Sequence, residues 1–451
     1  MKTEGHESVQ IESLAYRGEG IGHIKNKVIF VPLTAPGDRV KVLISENKRN
    51  YMRGTFQEIE NRSPARVVPL CNYFGECGGC HWQHIDYAHQ IKAKEKIVKD
   101  TISRIGKINV DSYDFYPSIP SSKIYGYRCR IRLQCAARRR TIIGYFKGQS
   151  SEIIPINHCE IIPPFMNGIL RKLDDFFNSL DYLTDFTEIE LLAKPDKEEA
   201  TLAFNNSFPI SPMDDRLKEF LKALKTHIPK VYGVSIESPQ EGESETRREY
   251  FGNCSLLFPL SFKTALRSEP VSIQAKMQIH TFGQVNLEQN DQLIKTVYEW
   301  VEPSEEKVIA DLFCGMANLS LPLAGEVNKI IGIENNPLAI EDARENAELN
   351  GFDNCDFYHA NALTDLDRLK EESRLDVIIL DPPRKGAKEC IGKIAAVKPK
   401  KIVYVSCNPT TLARDINLLT YSNYRLRRIQ LLDMFPQTYH IECVAELILN
   451  D

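Results

Sequence analysis

The amino-acid sequence predicts a multidomain protein: a small OB-like β-barrel, then an α+β middle segment, then an α/β unit on a mostly parallel sheet. Three observations carry this. A chain of 451 residues exceeds one ordinary domain and corresponds to about three. Short strand-like runs separated by turn formers crowd ahead of Asn61. From Val308 onward, short apolar runs alternate with helical stretches.

In the first unit the runs are Val9–Leu14, Lys27–Val31, Arg39–Ile44 and Met52–Ile59, with Gly18, Gly20, Gly22, Asn26, Pro36, Gly37 and Asn47 between them. Turn residues at that density force short strands, and short strands in a small unit close into a barrel. Such barrels present their loops to ligands, nucleic acid among them. A cysteine-rich loop follows. His89–Ile105 then reads as an amphipathic helix, with Ile91, Ile97, Val98, Ile102 and Ile105 near one face. Residues 113–270 mix strand-like runs with helical stretches such as Met213–Leu224 and an acidic loop at Glu241–Glu245. The expected boundaries are 1–62, 63–270 and 271–451.

In the third unit Val308–Leu312, Lys329–Glu334, Asp376–Leu380 and Lys401–Val405 read as strands, and Pro337–Asn350 as one of the helices between them. Alternation of this kind means a parallel sheet covered on both faces. Arg427–Leu432 and Val444–Leu449 are close in sequence and suit an antiparallel edge pair.

Ligands bind at the carboxyl ends of such strands, so the residues there matter. The first strand runs into Asp311-Leu-Phe-Cys-Gly315-Met-Ala-Asn318, and the second ends at Glu334, placed to accept from both hydroxyls of a ribose. No GxGxxG fingerprint or phosphate cradle is present. A nucleoside without phosphate, such as S-adenosylmethionine, suits the motif better than a dinucleotide. The third strand ends at Asp381-Pro-Pro-Arg384 and the fourth at Ser406-Cys407-Asn408-Pro409.

Cys407 stands apart from Cys355, Cys390 and Cys443, which read as small core hydrophobes. It sits at a strand end, ahead of a helix start whose N–H groups favour a thiolate. A thiolate there can add to C6 of a uracil. The resulting enolate lets C5 take an electrophilic methyl, and a base then removes the C5 proton so the cysteine can leave. His440, Glu442 and Asp433 are the downstream candidates for that base.

The chain has twelve cysteines and no basic n-region followed by an apolar stretch, so export and disulfides are not expected. No apolar run is long enough to span a membrane. The expected location is the cytoplasm. Cys71, Cys77 and Cys80, with Cys159 as a fourth, suit zinc or an iron–sulfur cluster equally by spacing, and His81, His84 and His158 keep a mixed zinc site open. A net charge of −4 excludes a uniformly basic coat, so any nucleic-acid surface is local. Tyr127-Arg128-Cys129-Arg130-Ile131-Arg132-Leu133 alternates strictly. On a strand it turns Arg128, Arg130 and Arg132 to one side, with Arg138–Arg140 close behind.

The segments IESLAYRGEGIG, VIFVPLTAPGD, CNYFGECGGCHWQH, FGQVN, DLFCGMANLSLPLA, LDPPRKGA, YVSCNPTTLARD and LLDMFPQTYHIE together resemble the bacterial uracil-C5 RNA methyltransferases. The resemblance is greatest to the 23S ribosomal RNA members, which carry an N-terminal TRAM barrel and an iron–sulfur cluster. It implies a Rossmann-like methyltransferase domain, S-adenosylmethionine as methyl donor and 5-methyluridine as product. By the same resemblance Cys407 is the nucleophile and Glu442 the base. Gln284, Phe313, Asn318, Glu334, Asn361 and Asp381 line the cofactor site, and Cys71, Cys77, Cys80 and Cys159 hold a [4Fe-4S] cluster. Arg132 is placed near the target base, the partner is 23S ribosomal RNA, and the protein is a monomer. The chain departs from the family pattern at Gly315-Met-Ala317-Asn318, where a glycine is usual in place of Ala317.

Three other readings compete. A transfer RNA uracil-C5 methyltransferase would share the catalytic residues. An amino-methyltransferase working through Asp381-Pro-Pro would need neither Cys407 nor Glu442. An RNA-binding iron–sulfur protein with an inactive methyltransferase fold would have no use for intact Cys407 and Glu442.

Overall fold

The computed structural model describes all residues except 1–5, 138–140, 181–184, 210–214, 241–245, 363–365, 367, 368, 370–373 and 451. The Arg138–Arg140 run and the acidic loop at Glu241–Glu245 therefore lie outside the described residues.

The N-terminal unit is a six-stranded sheet in the order His6–Gln10, Arg39–Asn47, Tyr51–Asn61, Lys27–Val31, Gly20–Ile24, Ser13–Leu14. Alternate residues point inward along each strand, and Val9, Ile11, Ile29, Val31, Val40, Val42 and Met52 form its core. Its exit is fastened by Asp38, whose carboxylate accepts from Ala35 N and Ser63 N and pairs with Arg66 at 2.8 Å. The cysteine loop therefore starts from a fixed point.

The middle unit is a seven-stranded sheet, Ile153–Pro155, Thr141–Phe146, Arg130–Ala137, Phe186–Lys194, Glu199–Asn206, Val231–Pro239 and Thr246–Gly252 in spatial order. Helices Pro164–Ser179 and Asp215–His227 cover one face through Phe176, Phe177, Leu217 and Phe220.

The C-terminal sheet has eight strands in the order Cys355–His359, Lys329–Glu334, Val308–Leu312, Val377–Leu380, Lys401–Ser406, Glu442–Leu449, Tyr424–Leu432, Asp114–Ile119. The first five are mutually parallel, and Glu442–Leu449 is antiparallel to both its neighbours. The expected antiparallel pair thus lies inside the sheet, because Asp114–Ile119 pairs with Tyr424–Leu432 and takes the edge.

That strand corrects the expected boundary at residue 63. Asp114–Ile119 belongs to the C-terminal sheet, and helix Tyr87–Arg104 packs Ile97, Val98 and Ile102 into the same core as Leu412, Ile416 and Leu419. The boundary at residue 270 also moves. It would divide the hairpin Ser255–Phe262/Val271–Gln278, whose Leu256, Phe258, Val271 and Ile273 share a core with Leu293, Val297 and Trp300 of helix Leu287–Val301. Among the described residues no helix is long and apolar enough to cross a membrane.

Candidate active site

Strand register brings the predicted residues to one rim. Leu312 pairs with Ile333 on one side and Leu380 on the other, so Phe313, Glu334 and Asp381 all leave the sheet at the same level. Ser406 pairs antiparallel with Cys443. One step outward lie Cys407, just past the end of its strand, and Glu442, the first residue of its own.

The turns are set by local chemistry. Asn408 caps helix Pro409–Thr420 by accepting from Thr410 N at 3.0 Å, and its amide donates to Arg384 O at 3.0 Å. The SCNP and DPPR loops are thereby tied together, with Pro409 in the first helical turn, where a missing N–H costs nothing. Asn336 and Pro337 repeat the device at helix Pro337–Leu349.

Glu334 is partly buried. Its carboxylate accepts from Gly315 N at 3.2 Å, Asn335 N at 2.7 Å and Asn336 N at 2.9 Å. Asn318 forms a reciprocal amide pair with Asn290, at 2.8 and 2.9 Å. Gln284 is buried and its carbonyl lies against the Cys129 thiol, whereas Asn361 is exposed. The loop between Phe313 and Asn318 is held in left-handed backbone at Phe313, Gly315 and Ala317, with φ of +65°, +55° and +66°. Ala317 therefore adopts the conformation for which glycine is the usual residue.

One residue of this rim was missed from sequence. Asp311 is buried at the end of its strand, and neither carboxylate oxygen makes a regular hydrogen bond among the described residues. Burial, opposed by the nearby Ser320 hydroxyl, pushes its carboxyl up to about 7. Its place two residues before Phe313 was the available signal.

The electrostatics of Cys407 reverse the expectation from its helix start. Burial, with the charges of Glu442 and Asp381, pushes the thiol up to about 12, against a smaller downward pull from Arg384. Burial and the charge of Asp381 also raise the carboxyl of Glu442 well above the usual range, and burial and Glu334 raise that of Asp381. The other acid–base candidates are differently placed. Burial, with Arg384 and other cations, lowers the His440 imidazole to about 3. Asp433 is fully buried in an ion pair with Lys94 at 2.6 Å, whose ammonium also reaches Phe435 O at 3.1 Å.

Cys71, Cys77, Cys80 and Cys159 line one cavity of about 230 Å³, together with Tyr145, Ile131 and Ile156. Burial raises all four thiols. The Asn167 side chain presents Cys159 by accepting from its N–H at 2.8 Å and donating to its carbonyl at 3.0 Å. Among the described residues no group of three or more His, Cys, Asp or Glu is placed to hold a metal ion. His84 packs against Phe74, and His81 against Tyr439.

The arginine stripe is corrected in part. Its strand begins only at Arg130. Arg130 is largely buried, pairs with Glu190 at 2.8 Å and donates to the carbonyls of Gln278, Ile279 and Thr281. These partners join the middle sheet to the C-terminal unit, so the guanidinium is used up inside the protein. Arg128 is half-buried, its Nε donating to Arg130 O at 3.3 Å. Arg132 remains exposed beside Glu188 and Glu190.

The TRAM family model matches residues 6–56, and the tRNA (Uracil-5-)-methyltransferase model matches residues 262–449. An RNA methyltransferase of Thermosynechococcus vestitus is 33% identical, over 97% of each chain. The 23S rRNA (uracil(1939)-C(5))-methyltransferase RlmD of Shewanella sp. (strain ANA-3) is 31% identical, over 97% of this chain and 95% of that one. The crystal structure of Pyrococcus abyssi tRNA (uracil-54, C5)-methyltransferase, in complex with S-adenosyl-L-homocysteine, shares the fold with a TM-score of 0.71 at 24% identity, covering 98% of this chain and 100% of that one. Fold and rim define an S-adenosylmethionine-dependent methyltransferase. The chain belongs to the RNA (uracil-5-)-methyltransferase family, among the members with a TRAM domain.

Proposed function

We propose that this enzyme transfers the methyl group of S-adenosylmethionine to C5 of a uracil in 23S ribosomal RNA through covalent addition of Cys407 to C6. The observation that carries this is the juxtaposition of Cys407, Glu442 and Asp381 at three neighbouring strand ends. Cys407 adds to C6, the C5 carbanion equivalent takes the methyl, Glu442 removes the C5 proton and the thiolate departs. Glu334 holds the cofactor ribose, and Gln284, Phe313, Asn318, Asn361 and Asp381 complete its site. Asp311 is added to that set because an unpaired buried carboxylate beside the loop calls for a ligand donor. Full-length similarity to the 23S enzymes favours ribosomal over transfer RNA. Mapping 5-methyluridine in both RNAs from a deletion strain decides this: loss from 23S RNA is expected, and loss from transfer RNA alone would overturn the assignment.

We further assign a [4Fe-4S] cluster to Cys71, Cys77, Cys80 and Cys159. Four thiols lining one cavity supply the ligand set of a cubane, and the resemblance to the 23S members favours a cluster over zinc. When bound it would tie the cysteine loop to the middle sheet, since uracil methylation transfers no electrons. Arg132, and Arg128 behind it, are the residues of the original stripe that remain for RNA.

A further inference from the structure

Three separate segments each place an aromatic ring beside the nucleophile's loop. Tyr16, from the barrel, stands edge-on to Tyr439 at 6.0 Å between ring centres. His81, from the cysteine loop, lies 4.3 Å from the same ring, and His440 lies 4.5 Å from it on the catalytic segment. The Tyr16 hydroxyl donates to the carbonyl of Cys407 at 3.5 Å. All four rings keep partial exposure, as Cys407 does, whereas Glu442 is buried, so the cluster lies on the solvent side of Glu442.

The barrel loop is built to hold this position. Gly18 N donates to Ala15 O at 3.0 Å and Ala15 N to Glu19 O at 2.8 Å, closing a turn in which Arg17 and Gly18 both have φ of +97°. Trp82 Nε1 then donates to Gly18 O at 3.1 Å, fastening the turn to the cysteine loop. A side chain at Gly18 would meet Trp82 at 3.2 Å and Tyr439 at 3.3 Å. Arg17 and Arg384 are exposed, and both lie near enough to the Tyr16 phenol to act on it electrostatically. A ring surface flanked by two exposed guanidinium groups matches a nucleotide, with the base stacked and the phosphates paired.

We propose that Tyr16, His81 and Tyr439, with Arg17 and Arg384 beside them, bind the RNA nucleotide that adjoins the target uridine. This rests on the reading that the enzyme methylates a uracil at Cys407. It makes the barrel part of the active site as well as an RNA-binding appendage. The target itself is assigned elsewhere, because Cys407 and Glu442 must lie within bonding reach of its C6 and C5. A flexible single strand leaves its flanking base at the outer wall, where aromatic rings accept any base without reading its edge.

The test is a protein–RNA double-mutant cycle on a 23S fragment, with the normal base or an abasic site on either side of the target. Tyr439→Ala is expected to raise KM for the intact fragment about ten-fold, the range of one stacked base, while kcat and S-adenosylmethionine affinity hold. Tyr439→Phe, which keeps the ring, should restore most of that loss. An abasic site on one side should raise KM for the unmodified enzyme similarly, and Tyr439→Ala should then add little. Losses that multiply at both flanking positions would overturn the proposal, as would an unchanged KM in Tyr439→Ala and Tyr16→Ala alike. Absence of 5-methyluridine with the unmodified enzyme would instead refute the underlying reading.

Discussion

The molecule holds four clustered thiols and one separate thiol that burial raises alike, under different neighbouring charges. Cys71, Cys77, Cys80 and Cys159 surround a cavity walled by Tyr145, Ile131 and Ile156, and burial is what raises each of them most. Cys407 is also raised by burial, but Glu442 and Asp381 push it further. A positive charge would ionise either group, yet the charges differ. In the loop it would be the iron of the cluster proposed above. At the rim it would be the sulfonium of S-adenosylmethionine. The two regions also touch. His81 N and Trp82 N both donate to Gln437 O at 3.0 Å, and Gln437 exchanges amide hydrogen bonds with Gln90. The loop that carries Cys80 thus braces the segment that leads to Glu442.

The largest effects are expected at the rim. Cys407→Ala should give neither 5-methyluridine nor a covalent RNA adduct. Glu442→Gln should accumulate an adduct that already carries the methyl, because elimination waits for the C5 proton. A denaturing gel with radiolabelled S-adenosylmethionine separates these outcomes, and a Glu442→Gln enzyme that turns over normally would remove Glu442 as the base. The pH profile follows from the same burial. Glu442 must be ionised to accept a proton and its carboxyl is raised, so single-turnover rates should fall with acidity at a pH above the ordinary carboxylate range of about 4. A rate that stays flat down to that range would show the carboxyl to be ionised in the working complex.

Disrupting the loop should have a smaller effect on chemistry and a larger one on folding. Anaerobically purified protein should contain about four irons with matching sulfide per chain. Cys159→Ser should lose iron and lower the melting temperature, while methylation of the surviving folded protein slows without producing a trapped adduct. Stoichiometric zinc without sulfide would replace the cluster and leave the rim untouched.

The rim was largely legible because each of its strands is a short apolar run ending in a polar residue, and parallel order follows from alternation with helices. Val308–Leu312 and Lys329–Glu334 have the predicted ends. Asp114–Ile119 was not legible as part of that sheet. Its partner, Tyr424–Leu432, is about three hundred residues away, and nothing local in DFYPSI specifies that pairing. Arg130 misled for a related reason. Alternation fixes which face a residue takes, but not whether that face meets solvent or, as here, the carbonyls of residues 278–281. The aromatic cluster draws on three distant segments and left no pattern in any of them.

Glu334 tests the rim at its cofactor end. Three backbone N–H groups already orient the carboxylate, so Glu334→Gln keeps shape but loses acceptor strength. Hydrogen bonds to a charged group contribute about 1.5–3 kcal/mol against about 0.5–1.5 kcal/mol for a neutral one. Affinity for S-adenosylmethionine, measured by calorimetry, should fall roughly ten-fold, and unchanged binding would take Glu334 out of the site.

The smallest effect is expected at Ala317, where the chain departs from the glycine usual in its family. A left-handed conformation costs an L-residue about 1–2 kcal/mol, and φ of +66° places Ala317 there. Two terms oppose relief by Ala317→Gly. Glycine enlarges the freedom of the unfolded chain, at a cost of about 0.4–1 kcal/mol. The alanine methyl is fully buried beside Cys314 and Met316 in the core, and removing it forfeits about 0.8 kcal/mol. The sum is close to zero, which accounts for an alanine in a glycine's conformation. Ala317→Gly should therefore shift the melting temperature by no more than a degree or so and change S-adenosylmethionine affinity less than about two-fold. A rise of several degrees would mean that the methyl packs poorly. A large gain in affinity without that rise would mean that the alanine holds the loop away from the cofactor.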